Sequence, residues 1–268
     1  KVGALSVEAY ENLFTYMLSA SGLQHPPAEA ASQTSPQNDS GDRDHLGWVS
    51  WAAPDTIDAP GKRQSGFTNK VVADYAPVTQ EMLNEPPKGD WLSWRRTLDG
   101  GGHSPLAQVN RKTVDRLELA WVITMHEGSN EPTPLVHDGI MYLTHSGNVI
   151  QALEADTGEL IWEYANVFAP ESKTIGGPTK KIAIYGDKIF IATYDAALVA
   201  IDARTGEELW KTVKADYSKG FTHTAGPIVA DGVVVSGING CERFKQEGCF
   251  ITGHDPETGK ELWRTSTI

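Results

Sequence analysis

The sequence predicts an all-β chain made of small, repeated, twisted sheets, and three observations carry that reading. A segment ending in tryptophan recurs three times: Glu154-Ala155-Asp156-Thr157-Gly158-Glu159-Leu160-Ile161-Trp162, then Asp202 to Trp210, then Asp255 to Trp263, always with Thr-Gly at the same offset. The three tryptophans lie 48 and then 53 residues apart. Ahead of each copy stand short alternating apolar runs, such as Gly139 to Leu143 and Val149 to Leu153, bounded by turn signals at Asp138-Gly139, Gly186-Asp187 and Asp231-Gly232. Short strands with a fixed tryptophan at such a period read as blades of a β-propeller, none of which buries its faces alone.

Taken in order, the chain divides into residues 1–23, 24–90 and 91–268. Within the first part, Ser6 to Leu23 places Val7, Tyr10, Leu13, Phe14, Met17 and Leu18 at helical spacing with Gly22 near the stop, which predicts a short amphipathic helix. Residues 24–90 are rich in Pro, Ser, Asp, Gly and Gln and show little periodicity, as expected of a long irregular arm or linker. Trp48, Trp51, Phe67 and Tyr75 mark points where that arm docks. From Trp91 the pattern tightens through the Gly100-Gly101-Gly102 turn into the first strand. In each blade the acid and Thr-Gly are expected to make the turn between the last two strands, and the tryptophan to fill the space between neighbouring blades. Three copies plus the Trp-bearing segment Leu117 to Val122 give three to four blades, whereas a ring closes with about four to eight. The expectation is an incomplete ring, with the remaining blades supplied by the same protein or by a second chain.

Composition narrows the function. Lys and Arg number 23 against 35 Asp and Glu, a net charge of −12, and no run is basic, which argues against a nucleic-acid partner. No apolar stretch is long enough to span a bilayer. The chain begins at Lys1 without Met or a signal-like apolar region, which fits a mature, processed protein.

Trp91-Leu92-Ser93-Trp94-Arg95-Arg96, Ser104-Pro105-Leu106, Val109-Asn110 and Leu119-Ala120-Trp121 resemble the start of the propeller in quinoprotein alcohol dehydrogenases, the methanol dehydrogenases among them. The resemblance covers roughly residues 86–268. It implies a quinoprotein-type propeller and a periplasmic location. It also implies pyrroloquinoline quinone (PQQ), a flat tricycle with three carboxylates, lying over a Ca²⁺ or lanthanide ion. The expected reaction is oxidation of a small alcohol, with electrons passed to a cytochrome c type acceptor.

Residue by residue, the resemblance assigns cofactor contacts to Glu131, to Lys180 where the family keeps an Arg, to Thr224, and to the loop Asn239-Gly240-Cys241. It assigns a metal-ligating carboxylate to Glu242. Ammonium and hydroxyl groups suit an acidic cofactor, and a carboxylate oxygen suits a hard cation. Alone, Glu131 and Glu242 would read as ordinary loop acids, and Lys181 competes with Lys180 for the cationic position. The adjacent cysteines that many family members place against the cofactor are missing near Thr174 and Ile175. Cys241 and Cys249 flank a seven-residue excursion; a disulfide between them is the better reading, since a zinc site would need two further ligands. The catalytic base is expected downstream of Ile268. A different class stays open beside the enzyme: a cofactor-free propeller of the same blade type acting as a binding or assembly scaffold. Trp94-Arg95-Arg96, Glu131 and Gly240-Cys241-Glu242 favour the enzyme.

Overall fold

The computed structural model describes residues 69–168, 178–241 and 248–267. The helix expected within 1–23, most of the arm at 24–90, the Thr174-Ile175 stretch and Glu242 lie outside them. By internal packing the described residues fall into two units. One is the stretch Gln108–Ala120. It holds a single turn of 3-10 helix at Val114–Arg116, ahead of which the Thr113 hydroxyl donates to the Gln108 carbonyl at 2.7 Å and accepts from the Asn110 amide at 2.9 Å.

The second unit contains three four-stranded antiparallel sheets, each a meander in chain order. The first is β1 (Leu135–His137), β2 (Ile140–His145), β3 (Val149–Glu154) and β4 (Leu160–Ala165). The second is β5 (Ala183–Tyr185), β6 (Lys188–Ala192), β7 (Ala197–Asp202) and β8 (Glu208–Val213). The third is β9 (Ile228–Ala230), β10 (Val233–Ser236), β11 (Phe250–His254) and β12 (Glu261–Ser266). In the second sheet every residue of β6 is buried, a run apolar apart from Lys188, as a strand covered on both faces requires. Among the fourth strands β8 and β12 are largely exposed, whereas β4 is mostly buried; β1 and β5 are also mostly buried, and β5 lies beside β9. This is the architecture of propeller blades, and no ring closes among the described residues.

The tryptophans join the sheets. Trp121, Trp162 and Trp210 each lie against the Thr-Gly turn of the following sheet, donating an indole N–H to the carbonyls of Ala155, Ala203 and Pro256 at 3.1, 3.0 and 3.0 Å. The glycines under the rings, Gly158, Gly206 and Gly259, have φ of +72°, +74° and +69°. A Cβ on any of them would stand only 2.5–2.7 Å from indole carbons, so both the backbone and the contact require glycine. Each turn is tied in the same way: the threonine hydroxyl accepts from the amide two residues on, at 3.2, 3.2 and 3.3 Å. Asp202 and Asp255 each accept two further backbone amides. A register shift recurs in all three sheets beside the tryptophan, between Ala152/Leu153, Ala200/Ile201 and Gly253/His254. Such bulges re-aim a side chain: the first two lie beside the docking Trp162 and Trp210, the third beside Trp263.

The segment from Asn69 to Trp91 runs along the first two sheets. Lys70 and Val72 donate backbone N–H groups to Ile161 and Arg204, Val78 pairs with Gly186, and Trp91 pairs with Val136. Within it lies one helical turn, α1 (Gln80–Asn84), whose Thr79 hydroxyl accepts from the Met82 amide at 3.3 Å and whose Leu83 is buried. Tyr75 docks through its hydroxyl on the Gly186 carbonyl at 3.1 Å. The fully buried His137 closes this attachment: its Nδ1 lies 2.7 Å from the Asp90 carboxylate and its Nε2 2.7 Å from the Ala76 carbonyl.

Replacing Trp162 by Ala is expected to destabilise the protein by about 3–5 kcal/mol, the loss associated with emptying a large aromatic site. Gly206→Ala removes no side chain, yet it is also expected to destabilise, because it forces a Cβ into that ring. Both are read from the midpoint of urea unfolding, and an unchanged midpoint in either would contradict the docking described. Asp90→Asn is expected to cost about 1–3 kcal/mol, since it weakens the partner of a buried imidazole. An unchanged midpoint in that variant would remove His137–Asp90 as a fastening.

Candidate functional site

Antiparallel meanders give each sheet two distinct ends. The approach to the first strand, the connection between the second and third, and the exit from the fourth share one end, as the pairings Leu135↔Tyr142 and Val149↔Ala165 fix. The Thr-Gly turns and the Asp-Gly type turns share the other. Glu131, Lys180 and Thr224 precede β1, β5 and β9, and Asn239 to Cys241 follow β10, so all lie at the first end of their own sheets.

Contacts link these residues from sheet to sheet. The Lys180 ammonium lies 3.0 Å from the Glu131 carboxylate, with both side chains about half exposed, and the Thr133 amide donates to the Lys180 carbonyl at 2.9 Å. Lys180, rather than Lys181, is therefore the cation of this group. Gly226 packs so closely on the Lys181 carbonyl that any Cβ there would collide with it, which sets the strand approach carrying Thr224 directly beside Lys180-Lys181. Asn239 exchanges backbone hydrogen bonds with Thr222 at 2.9 and 3.0 Å, and its side-chain oxygen accepts from the Thr224 amide at 3.3 Å. Gly240, at φ +88°, lies against the Gly220 carbonyl with no room for a Cβ. Cys241 and Cys249 form the disulfide, with Cα atoms 5.0 Å apart. Thus Glu131 pairs with Lys180 and Thr224 with Asn239-Gly240-Cys241, and the packing of Gly226 on Lys181 brings the two groups near one another. Glu242 follows Cys241 directly but lies outside the described residues.

Arg95 and Arg96 do not join this set. Arg96, buried at φ +70°, donates to the carbonyls of Pro86 and Pro87 at 2.8 and 3.1 Å, and Arg95 stacks on Trp94 at 5.0 Å. The charge expected from Trp94-Arg95-Arg96 is spent on holding the chain just before the propeller.

Sequence reasoning missed two polar clusters at the same end as the site. In the first sheet, His126 lies 3.1 Å from Glu163, Gln151 donates to Glu163 at 2.8 Å, and His145 lies 2.8 Å from Gln151. Burial, then His126, pushes His145 down to about 4. Burial acts to raise Glu163, but hydrogen bonds from His126 and Gln151 outweigh it and hold the carboxyl below its ordinary range. Between the second and third sheets, the buried Lys214 lies 3.4 Å from the buried His223. A cavity of about 280 Å³ lined by Lys214, Ala215, Cys249, Phe250, Arg264 and Ser266 opens beside the disulfide. At the opposite end, Asp90, His137 and Asp138 bring three possible ligand atoms within 4.8 Å of one another. Both nitrogens of His137 are already bonded there, so the cluster fastens the chain.

The donor set at the linked site can be tested against an acidic, planar cofactor and a hard cation. It offers an ammonium, a hydroxyl, an amide and backbone around a glycine, with a carboxylate beside them, and both cysteines are closed in a disulfide. Oxygen and cationic nitrogen without thiolate or imidazole fits a polycarboxylate with Ca²⁺ or a lanthanide, and does not fit a transition metal. Among the described residues no helix is long and apolar enough to cross a membrane.

Comparison with known proteins agrees with this geometry. Residues 91–267 match the family described as "PQQ: Glucose/ethanol/alcohol dehydrogenase, beta-propeller domain". The chain is 37% identical over 185 residues to quinohemoprotein alcohol dehydrogenase ADH-IIG of Pseudomonas putida, covering 67% of this chain and 26% of that protein. It is 36% identical over 204 residues to 1-butanol dehydrogenase (quinone) of Thauera butanivorans, covering 71% and 32%. Among solved structures, the ADHIIG enzyme of Pseudomonas putida HK5 superposes with a TM-score of 0.63 at 35% identity, over 73% of this chain and 30% of that one. A europium-containing methanol dehydrogenase superposes with a TM-score of 0.61 at 29% identity, over 70% and 34%. The chain thus spans about a quarter to a third of the length of these relatives. From the repeated docked blades, the linked polar site and the match over residues 91–267, the chain belongs to the β-propeller family of PQQ-type glucose, ethanol and alcohol dehydrogenases.

Proposed function

We propose that this chain forms the part of a PQQ-dependent alcohol dehydrogenase that holds the cofactor and its metal, in a periplasmic enzyme that oxidises a small alcohol to an aldehyde or ketone. The observation that carries the proposal is that the pairs Glu131–Lys180 and Thr224–Asn239 stand at the same end of three sheets, brought near one another where Gly226 packs on Lys181. A solvent-facing blade has no need to gather these groups, which is the argument against a cofactor-free scaffold.

Each residue has a task that its chemistry suits. Lys180 supplies positive charge toward the acidic cofactor, and Glu131, 3.0 Å away, fixes the direction of its ammonium. Thr224 offers a hydroxyl to a cofactor carboxylate, and Asn239 holds the Thr224 backbone in place through its side-chain oxygen. Gly240 lets the backbone turn tightly against Gly220, and the disulfide after it braces the loop. Glu242, the next residue, supplies a carboxylate oxygen to Ca²⁺ or a lanthanide. Bound there, PQQ would supply the two-electron acceptor for alcohol oxidation and the metal a Lewis acid, chemistry that the chain's own residues lack. A cytochrome c type protein is the proposed electron acceptor, and further blades, from the same protein or a second chain, complete the ring.

The test is cofactor and metal binding in the intact protein. A charge-assisted hydrogen bond is worth about 1.5–3 kcal/mol, so Lys180→Ala is expected to weaken PQQ binding roughly 10- to 100-fold in an absorption titration. Glu242→Ala is expected to lower bound metal and bound quinone together, measured by elemental analysis and by the quinone band. Unchanged affinity in the first variant, or full metal content in the second, would contradict these assignments.

A further inference from the structure

We propose that Lys214 and His223 are positioning residues for the cofactor site, forming a buried tether that fixes the Thr224 segment and the Asn239–Cys241 loop relative to one another. The inference rests on the cofactor reading above and assigns to it two residues that the resemblance does not.

The geometry is that of a buried ammonium held by two carbonyls beside an imidazole. Lys214 leaves the end of β8 and crosses to the third sheet, where its Nζ donates to the carbonyls of Ser236 and Gly237 at 2.9 and 2.7 Å and points at His223 Nε2 at 3.4 Å. The ammonium thus has two carbonyl acceptors and lies beside the imidazole. His223 is itself set between two carbonyls, its Nδ1 3.0 Å from Thr193 and its Nε2 3.0 Å from Gly237, the same carbonyl that accepts from Lys214. Thr193 belongs to the turn between β6 and β7, and Gly237 to the loop leaving β10. The pair therefore staples the second sheet to the third at the end where the site lies. His223 immediately precedes Thr224, and Gly237 stands two residues before Asn239. The backbone of Lys214 is itself held, its amide donating to Ala196 at 2.9 Å and its carbonyl accepting from Arg264 at 3.1 Å.

The tether is also a charge placed under an anion-binding loop. Burial, then Arg264, pushes Lys214 down to about 7, while Glu261 acts the other way. His223 is held near 4, by burial first and then by Lys214, against the hydrogen bonds to the Thr193 and Gly237 carbonyls and the Asp195 carboxylate, and is neutral throughout the neutral range. The remaining groups facing the ammonium are the Phe250 ring at 5.8 Å and the Arg264 guanidinium stacked on that ring at 4.0 Å, itself paired with Glu261. The sign follows. Below about 7 Lys214 is a charged ammonium donating to the Ser236 and Gly237 carbonyls. As pH rises through that value it becomes an amine with only two donors and no charge. An acidic cofactor bound above it favours the charged form, so affinity is highest at low pH and falls as pH rises.

The experiment is a PQQ titration of the intact protein, with any chain that accompanies it, from pH 6 to 9, beside Lys214→Met and His223→Gln. The wild-type affinity is expected to fall about tenfold or more across that range. In Lys214→Met it should be low and flat, and in His223→Gln reduced with the pH dependence kept. A merely structural lysine would lower stability without moving the pH profile. A folded Lys214→Met protein with wild-type affinity and profile would overturn the tether. If that variant does not fold, a flat wild-type profile would overturn it equally. A wild-type protein that binds no PQQ at any pH would instead bring down the cofactor reading, and the tether with it.

Discussion

An indole on one sheet lying across a glycine of the next sheet's turn is the contact from which the rest of the structure follows. A four-stranded meander cannot bury both faces alone, and the Trp121–Gly158, Trp162–Gly206 and Trp210–Gly259 contacts decide how neighbours cover one another. Several local features serve that one interaction: left-handed glycines, threonine hydroxyls that tighten the turns, and bulges at Ala152/Leu153 and Ala200/Ile201 that aim Trp162 and Trp210. Because the same geometry recurs at each junction, the first strands of successive sheets are brought toward one another, and β5 comes to lie beside β9.

That arrangement separates assembly from chemistry. The docking turns occupy one end of every sheet, together with the His137–Asp90 fastening. The opposite end is left to the approaches of β1, β5 and β9, which carry Glu131, Lys180 and Thr224 with no demand on them from blade packing. Polar groups are tolerated there because they satisfy one another, within a sheet as in His126–Glu163 and between sheets as in Glu131–Lys180 and Lys214–His223. Buried polar groups must be paired, and here the pairing also sets the spacing of the site.

The sequence made the blades readable because their determinants are local. Alternation sets the strands, and the acid, Thr-Gly and tryptophan recur in register within one short segment. The disulfide was readable for the same reason, since Cys241 and Cys249 flank one excursion. The site residues were nameable only through the resemblance, for Glu131 and Lys180 are far apart in the chain and nothing in either segment announces the ion pair. Lys214 was passed over because a lysine leaving a strand ordinarily faces water; its burial depends on carbonyls of another sheet. The turn α1 was missed within a stretch read as irregular, because one turn capped by Thr79 leaves no periodic pattern. Trp94-Arg95-Arg96 helped to identify the family, but the role of Arg96 was not readable, since it depends on the Pro86 and Pro87 carbonyls that the fold brings to it.

The central claim is that three sheets present one cofactor-holding surface. The most direct measurement is an experimental structure of the intact protein with PQQ and Ca²⁺ or a lanthanide. The account predicts the quinone bounded by Lys180, Glu131, Thr224 and the Asn239–Cys241 loop, with the metal on Glu242. Quinone density elsewhere, or metal density away from Glu242 while that loop stays empty, would contradict it.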